Sequence, residues 1–244
     1  MAVRAEDRRP RHIGIVAVSA EGAALCYRTI CAEGAAVFGR HAHPEVSMHT
    51  YTLSEYIRHI ETDRWTEVGS MLLSSAAKLR QAGADFLICP DNTVHQGLDL
   101  VRDASPLPWL HIAEEVGNVA VERGFRRLLV LGTKSLMEGP VYPAKLGRRG
   151  IATDIPPVEQ RDRIDAFIFD ELVCGEFKDS TRSVFQEIIT EGQRRGSDAA
   201  ILGCTEIPLL IDDRSSSLPT LDSTRILARA ALRDAQREGS GDGH

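Results

Sequence analysis

The chain has 244 residues and a net charge of −6, with 29 lysines and arginines against 35 aspartates and glutamates. This length supports one large domain or two smaller ones with a substantial core, while the scattered basic residues exclude nucleic acid and an anionic membrane as partners. The apolar runs are far shorter than the roughly 20 residues of a membrane-spanning helix. Because the charged N-terminus also lacks a signal-peptide core, we expect a cytoplasmic protein. The five cysteines show no paired spacing, which favours reduced thiols over a disulfide framework or a zinc site.

Both ends of the chain are predicted to be disordered, because residues 1–11 are charged and poor in apolar side chains and residues 239–244 are rich in glycine. Between them, short apolar runs predict buried β-strands at residues 13–18, 86–89, 128–131 and 199–202. Helical patterns lead into the second and fourth of these strands, over residues 65–81 and 181–195, and a last helix is predicted over 223–237. This alternation predicts an α/β fold with parallel sheets.

Two segments of the chain repeat one another without a gap. Residues 83–93 (GADFLICPDNT) align with residues 196–206 (GSDAAILGCTE), and each is an apolar run that ends in polar residues. The alignment sets Asp91 opposite Cys204. If the two halves fold alike and face each other, this carboxylate and this thiol approach one cleft from opposite sides.

The repeat predicts two similar α/β domains. The first is expected to comprise residues 12–107 and 215–238, with the last helix packed back on it, and the second residues 108–214. A single doubly wound sheet is the alternative, because short strand–turn–helix segments can resemble each other through architecture alone.

A small molecule with a carboxylate is the expected ligand. In parallel sheets, ligands bind beyond the carboxyl ends of the strands, where the N-termini of the following helices attract anions. Polar residues follow the predicted strands in both halves and supply backbone amides and hydroxyls for such a ligand: Ser19, Asn92, Thr93, Thr133 and Thr205.

At two places the sequence resembles a known family. Residues 90–95 (PDNTVH) and 203–210 (GCTEIPLL) are similar to the two catalytic signatures of the aspartate/glutamate racemase superfamily. Shorter stretches agree with it as well, at residues 13–15, 19–22, 131–133 with Met137, and 221–223. The resemblance covers about residues 12–235. It implies two pseudo-symmetric α/β domains with the active site in the cleft between them, an isomerase that uses neither pyridoxal phosphate nor another cofactor, and a homodimer as a frequent state of relatives.

The sequence departs from the family pattern at Asp91. Typical members carry a cysteine directly before the Asn-Thr pair, and two cysteines act on opposite faces of the α-carbon. The resemblance therefore implies a catalytic role for Cys204 and substrate contacts for Asn92, Thr93, Thr205 and Glu206. Three roles stay open for Asp91: a general base, an electrostatic or hydrogen-bonding group, or the N-cap of the following helix.

Inverting a stereocentre by proton transfer needs a base on one face of the carbon and an acid on the other. A thiol at a helix N-terminus can have a lowered pKa, which makes the thiolate of Cys204 an accessible base. An ordinary aspartate is about 4.6 pKa units less basic, a loss of roughly 6 kcal/mol that burial can partly recover. We therefore predict a cofactor-independent racemase or epimerase that acts on an amino acid or related acid through Cys204 and Asp91.

Two alternatives to this function stay open. One is a decarboxylase or cis–trans isomerase of the same superfamily that uses Cys204 alone, and the other is a non-catalytic protein that binds a small acid. Arg40 and Lys134 are candidate cations for a second carboxylate of the substrate. However, Val173 and Cys174 occupy the region where aspartate-acting relatives carry a lysine, which favours an apolar or neutral substrate side chain.

The remaining cysteines and one histidine have weaker assignments. Packing is the expected role of Cys26, Cys31 and Cys174. Cys89 is also expected in the core, with chemical replacement of the missing cysteine as its alternative. His95 either tunes the first signature from the next helical turn or lies at the surface or behind the site.

Overall fold

The computed structural model describes residues 9–237. Residues 1–8 and 239–244, which were predicted to be disordered, lie outside this range. Residues 9–11 lie inside it, and the chain is already fixed at Arg11. The backbone amide of Arg11 donates to the Ala235 carbonyl at 3.0 Å, and its guanidinium pairs with Asp234.

The first sheet has four parallel strands in the order β2-β1-β3-β4. They are β1 (Ile13–Ala17), β2 (Val46–Thr50), β3 (Phe86–Ile88) and β4 (Trp109–Leu110). The helices of this half are α1 (Ala20–Phe38), α2 (Leu53–Ile60), α3 (Trp65–Gln81) and α4 (His95–Val101). Every residue of β1 is buried, as expected for a parallel strand that helices cover on both faces.

The second sheet repeats this topology in the order β6-β5-β7-β8. Its strands are β5 (Arg127–Leu131), β6 (Ala152–Asp154), β7 (Ala199–Leu202) and β8 (Thr220–Asp222). The helices that follow β4 are α5 (Ile112–Glu122), α6 (Lys134–Glu138), α7 (Val141–Gly147), α8 (Val158–Phe167), α9 (Asp179–Arg194), α10 (Ile207–Leu210) and α11 (Ser223–Ala235), with a π-helical turn at Ile168–Leu172. The predicted α/β fold with two pseudo-symmetric halves is confirmed, and the two separate sheets exclude the single doubly wound sheet.

The repeat is visible at the ends of the helices that precede β3 and β7. Gly83 follows α3 with φ +89°, and Gly196 follows α9 with φ +94°. Side chains rarely adopt this left-handed backbone, which is why glycine ends both helices and lets the chain turn into the next strand.

Both predicted domain boundaries fall too early in the chain, because each one precedes the last strand of its sheet. The first predicted boundary, 107/108, cuts off β4, which pairs with β3 through Leu87 and Trp109. The second, 214/215, cuts off β8, which pairs with β7 through Ile201 and Leu221. These strands have two and three residues, too few to form a recognisable apolar run.

The core covers both faces of both sheets. In the first half, one cluster of buried side chains lies under α3, and a second lies under α1 and includes Leu227 and Ala231 of α11. The last helix therefore packs on the first half. In the second half, the corresponding clusters lie under α8 and α9 on one face and under α5 and α7 on the other. Within residues 9–237, no helix combines the length and the apolar character needed to cross a bilayer.

Candidate active site

A cavity of about 790 Å³ lies between the two sheets, beyond the carboxyl ends of their central strands. Eight residues for which the sequence predicted a catalytic or substrate-binding role line it: Ser19, Asp91, Asn92, Thr93, Thr133, Cys204, Thr205 and Glu206. Asp91 comes from the loop after β3, and Cys204 comes from the loop after β7. Because β3 and β7 hold equivalent positions in their sheets, the two loops reach the cavity from opposite halves.

Asp91 is partly buried, and its protonation changes near neutral pH. Burial raises the pKa of this carboxyl to about 6, and the negative charge of Glu206 acts in the same direction, while backbone N–H groups of Val94 and Thr93 oppose the shift. The Val94 amide donates to Asp91 Oδ1 over a long 3.4 Å. This contact resembles a helix cap, although α4 begins only at His95.

His95 fixes the backbone of Asp91 from behind. Its imidazole is fully buried, and burial lowers its pKa well below the ordinary value, so the ring is neutral. Nδ1 lies 2.8 Å from the Asp91 carbonyl, and the Ile112 amide donates to Nε2 over 3.3 Å. This second contact assigns the proton to Nδ1, which donates to Asp91. The sequence-based interpretation of His95 as a residue behind the site agrees with this geometry.

Cys204 is a thiol held by a neighbouring carboxylate. Its Sγ donates to Glu206 Oε2 over 2.9 Å, and the Thr205 hydroxyl donates to the same oxygen over 2.8 Å. Burial raises the pKa of the thiol well above its usual range, and the charge and hydrogen bond of Glu206 raise it further. The sequence predicted the opposite direction, from the dipole of the following helix. That helix, α10, has only four residues, while burial, followed by the charge of Glu206, raises the pKa of the thiol.

Replacing Glu206 by glutamine should lower the pKa of Cys204, because the change removes the negative charge beside the thiol. At a pH below the pKa of Cys204, a downward shift of one unit raises the thiolate fraction about tenfold, and because the less basic thiolate is a weaker nucleophile, alkylation by iodoacetamide becomes about three- to fourfold faster. Mass spectrometry of the peptide that contains Cys204 measures this rate, and the exposed Cys174 is an internal reference. Glu138→Gln is the matched control, because Glu138 lines the same cavity but pairs with Arg161. Equal rates in both variants would contradict this assignment.

The side chain of Asn92 faces protein partners. It is 3% exposed, its Nδ2 donates to Ser223 Oγ over 3.0 Å, and its Oδ1 accepts from the Tyr142 hydroxyl over 2.7 Å. A ligand in the cavity can therefore use the backbone amide of Asn92, while the side-chain amide is already paired.

The hydroxyl groups of Ser19, Thr93 and Thr133 also line the cavity. Thr93 Oγ1 and Thr133 Oγ1 lie 3.1 Å apart and join the loops of the two halves. Ser19 caps α1 by accepting from the Gly22 amide over 3.2 Å, and Thr133 caps α6 in the same way. The start of the 19-residue helix α1 adds a positive potential that favours an anionic group.

Basic side chains are few around the cavity. Lys134 lines it, but its ammonium lies 2.6 Å from Asp162. Arg40 does not line it, and its Nε donates to the imidazole of His41. The sequence missed Arg58 of α2, which lines the cavity, is exposed, and has no carboxylate within 4.0 Å in the part of the chain that the structure describes. The amphipathic pattern of residues 53–60 is the signal that could have indicated it.

Apolar side chains form one wall of the cavity. It comes from α2 of the first half and from the π-helical turn of the second, and its members are Leu53, Ile57, Ile60, Ile168, Phe169 and Val173. The cavity therefore combines a polar end beside Asp91 and Cys204 with this apolar wall, and α2 adds the charged Arg58 next to the wall.

The other cysteines agree only in part with their predicted packing role. Cys26 and Cys89 are fully buried, and burial raises the pKa of Cys26 to about 12 and that of Cys89 well above its usual range. Cys174 is exposed just after the π-helical turn, so the packing prediction is wrong there. Within residues 9–237, no group of three or more His, Cys, Asp or Glu side chains could hold a metal ion.

Comparisons with known proteins point to one family. Residues 13–231 match the sequence profile of the Asp/Glu/hydantoin racemases. The broad specificity amino-acid racemase RacX of Bacillus subtilis is 24% identical over 166 residues, which span 68% of this chain and 71% of RacX. Two crystal structures share the fold over 93% of this chain and their own full length. One is a candidate Asp/Glu racemase from Yersinia pestis (28% identity, TM-score 0.86), and the other an aspartate racemase homologue from Pyrococcus horikoshii (27%, 0.81).

Proposed function

The chain belongs to the Asp/Glu/hydantoin racemase family, and from this premise we propose that it is a cofactor-independent racemase or epimerase of an amino acid or related carboxylic acid. The reaction is proton transfer at the α-carbon. The observation that carries the proposal is the pairing of Asp91 and Cys204, which line one cavity from opposite halves of the molecule.

Asp91 and Cys204 have complementary protonation states near neutral pH. With a pKa of about 6, Asp91 is mostly a carboxylate, and it is a better base than an ordinary aspartate. Cys204 keeps its proton because its pKa is raised. Asp91 takes the α-proton from one face as the C–H bond breaks, and the Cys204 thiol delivers its proton to the other face. After the transfer, Asp91 is protonated and Cys204 is a thiolate. These are the protonation states that the reverse reaction needs.

The carbanion that forms between these steps needs stabilisation at the substrate carboxylate. In the loops that carry Asp91 and Cys204, the backbone N–H groups of Asn92 and Thr205 donate to no protein acceptor that the structure describes. Hydrogen bonds from these amides, and from the hydroxyl of Thr93, would orient the substrate carboxylate and hold the charge that develops on it.

Nuclear magnetic resonance in D₂O tests this function directly. Incubation with single enantiomers of the common amino acids should give a loss of the α-proton signal together with formation of the opposite enantiomer, which chiral chromatography measures. Absence of both exchange and inversion over the whole set would contradict the proposed racemase.

We expect amino acids with large apolar side chains to react at least about tenfold more efficiently, in kcat/KM, than aspartate. Two carboxylates near the substrate, Asp91 and Glu206, repel a second negative charge, and Lys134 is already paired, while the apolar wall accommodates leucine or phenylalanine. Initial rates of α-proton exchange measure the preference. Faster exchange of aspartate, lost in Arg58→Gln, would instead assign Arg58 to a second substrate carboxylate.

A second reaction of the same site is favoured by the protonation of Cys204. A thiol with a raised pKa is also the form that a decarboxylase needs to protonate a carbanion from one face. In that case malonate derivatives would lose CO₂, and Asp91→Asn would keep substantial turnover.

A further inference from the structure

A buried chain of hydrogen bonds connects the loop of Asp91 with the loop of Cys204. Asn92, directly after Asp91, donates through Nδ2 to Ser223 Oγ over 3.0 Å. Ser223 Oγ in turn donates to the carbonyl of Leu202 over 2.9 Å. Leu202 is the last residue of β7 and stands two residues before Cys204. We call Asn92, Ser223 and Leu202, together with Tyr142, the inter-loop bridge.

Tyr142 fixes the orientation of the bridging amide. Its hydroxyl donates to Asn92 Oδ1 over 2.7 Å, so the oxygen and the nitrogen of the amide each have one partner. Asn92 is 3% exposed, and Tyr142 and Ser223 are fully buried. Water does not compete for these hydrogen bonds, and a fully paired buried network favours a single arrangement of its members.

The bridge lies where the chain crosses between the halves. Ser223 follows β8 of the second sheet and is the first residue of α11, which packs on α1 of the first half. Asp222, before it, caps this helix by accepting from the Arg225 amide over 3.0 Å. Ser223 is therefore held by secondary structure on both sides, and Asn92 is bonded to a rigid point of the molecule.

We infer that the inter-loop bridge sets the separation between Asp91 and Cys204, which makes Asn92, Tyr142 and Ser223 positioning residues for proton transfer across two faces of one carbon. This inference rests on the proposed racemase function. Inversion requires both groups to reach the same α-carbon, and a misplacement of about 1 Å can cost about 100-fold in rate. Exchange on a single face requires only one of them.

Ser223→Ala tests the bridge through the ratio of two rates. In D₂O, inversion is measured by chiral chromatography, and deuterium incorporation with retention is measured by mass spectrometry of the separated substrate enantiomer. We expect the ratio of inversion to retentive exchange to fall at least about tenfold, with KM changed less than about threefold. Ser223→Thr, which keeps the hydroxyl, should restore most of the ratio.

Ser75→Ala is the matched control. Ser75 is fully buried on α3 and bonded to His49 Nδ1 over 2.9 Å, but it does not line the cavity. This variant should keep the ratio of the wild type. Tyr142→Phe, which retains the ring in the core, repeats the test should Ser223→Ala fail to fold.

The outcomes separate the bridge from the proposed function. If the wild type neither exchanges nor inverts any substrate, the racemase proposal fails. If the wild type racemises while Ser223→Ala and Tyr142→Phe lose both rates in the same proportion, or lose neither, the positioning role is overturned and the hydrogen bonds serve stability alone.

Discussion

Cys204→Ala should lower the rate of inversion by about 10³-fold with little change in KM, because it removes the proton donor of one face while the polar end of the cavity stays intact. General acid–base groups typically contribute about 10²–10⁴-fold. The rate is measured by chiral chromatography on the best substrate of the wild type. Retentive exchange through Asp91 should survive, since this carboxylate can still remove the α-proton, exchange it with D₂O and return a deuteron to the same face.

Cys204→Ser distinguishes the loss of a proton donor from the loss of a packed side chain. A serine hydroxyl can keep the hydrogen bond to Glu206 Oε2 but is a much weaker acid than a thiol, so the inversion rate should stay within about tenfold of that of the alanine variant. Cys174→Ala, at an exposed thiol, should retain wild-type activity. A Cys204→Ala protein that inverts its substrate within tenfold of the wild-type rate would contradict the proposed mechanism.

The central strands of both sheets could be predicted from the sequence, and the edge strands could not. In β3 and β7 every residue is buried, so each strand is a continuous apolar run. In β2, at the edge, the sequence is VSMHT and no residue is fully buried. An edge strand exposed on one side needs polar residues, and the pattern is then too weak to distinguish it from a loop.

The position of the candidate site could be predicted from the repeat, but the raised pKa of Cys204 could not. The loops after β3 and β7 had to meet at the carboxyl ends of the sheets once the two halves were recognised as alike. The raised pKa of Cys204 depends on the side chain of Glu206 turning back toward the thiol, which is a matter of rotamer and packing. The pairing of Asn92 with Tyr142 and Ser223 joins residues 50 and 131 positions apart, and local sequence carries no signal for such contacts.

Asp91→Asn should abolish proton transfer on the Asp91 face, lowering inversion by about 10³-fold. It should also remove the dependence of kcat/KM on pH near pH 6. In the wild type, kcat/KM should rise with pH through about 6, as the carboxyl loses its proton and becomes the base. Rates measured between pH 5 and 8 would show this rise in the wild type and its absence in Asp91→Asn.

The same substitution should stabilise the protein at neutral pH, and this expectation does not depend on a known substrate. Burial raises the pKa of Asp91 from 3.8 to about 6, so the folded state binds the proton more tightly than the unfolded state. Below pH 3.8 both states are protonated and ionisation has no cost. As the pH rises toward 6 the unfolded carboxyl ionises first, and above 6 the folded state carries a desolvated charge that costs about 2–3 kcal/mol.

Urea unfolding of Asp91→Asn and wild type at pH 5 and pH 8 measures this cost. The stability advantage of the variant should be larger at pH 8 by about 1–2 kcal/mol, because part of the wild-type population is still protonated at pH 5. Asp103→Asn, at an exposed carboxylate, is the matched control for the substitution itself. Equal advantages at pH 5 and 8 would mean that Asp91 titrates like an ordinary aspartate. Such a carboxylate would be too weakly basic for the two-face mechanism, and Cys204 alone would then have to carry the reaction.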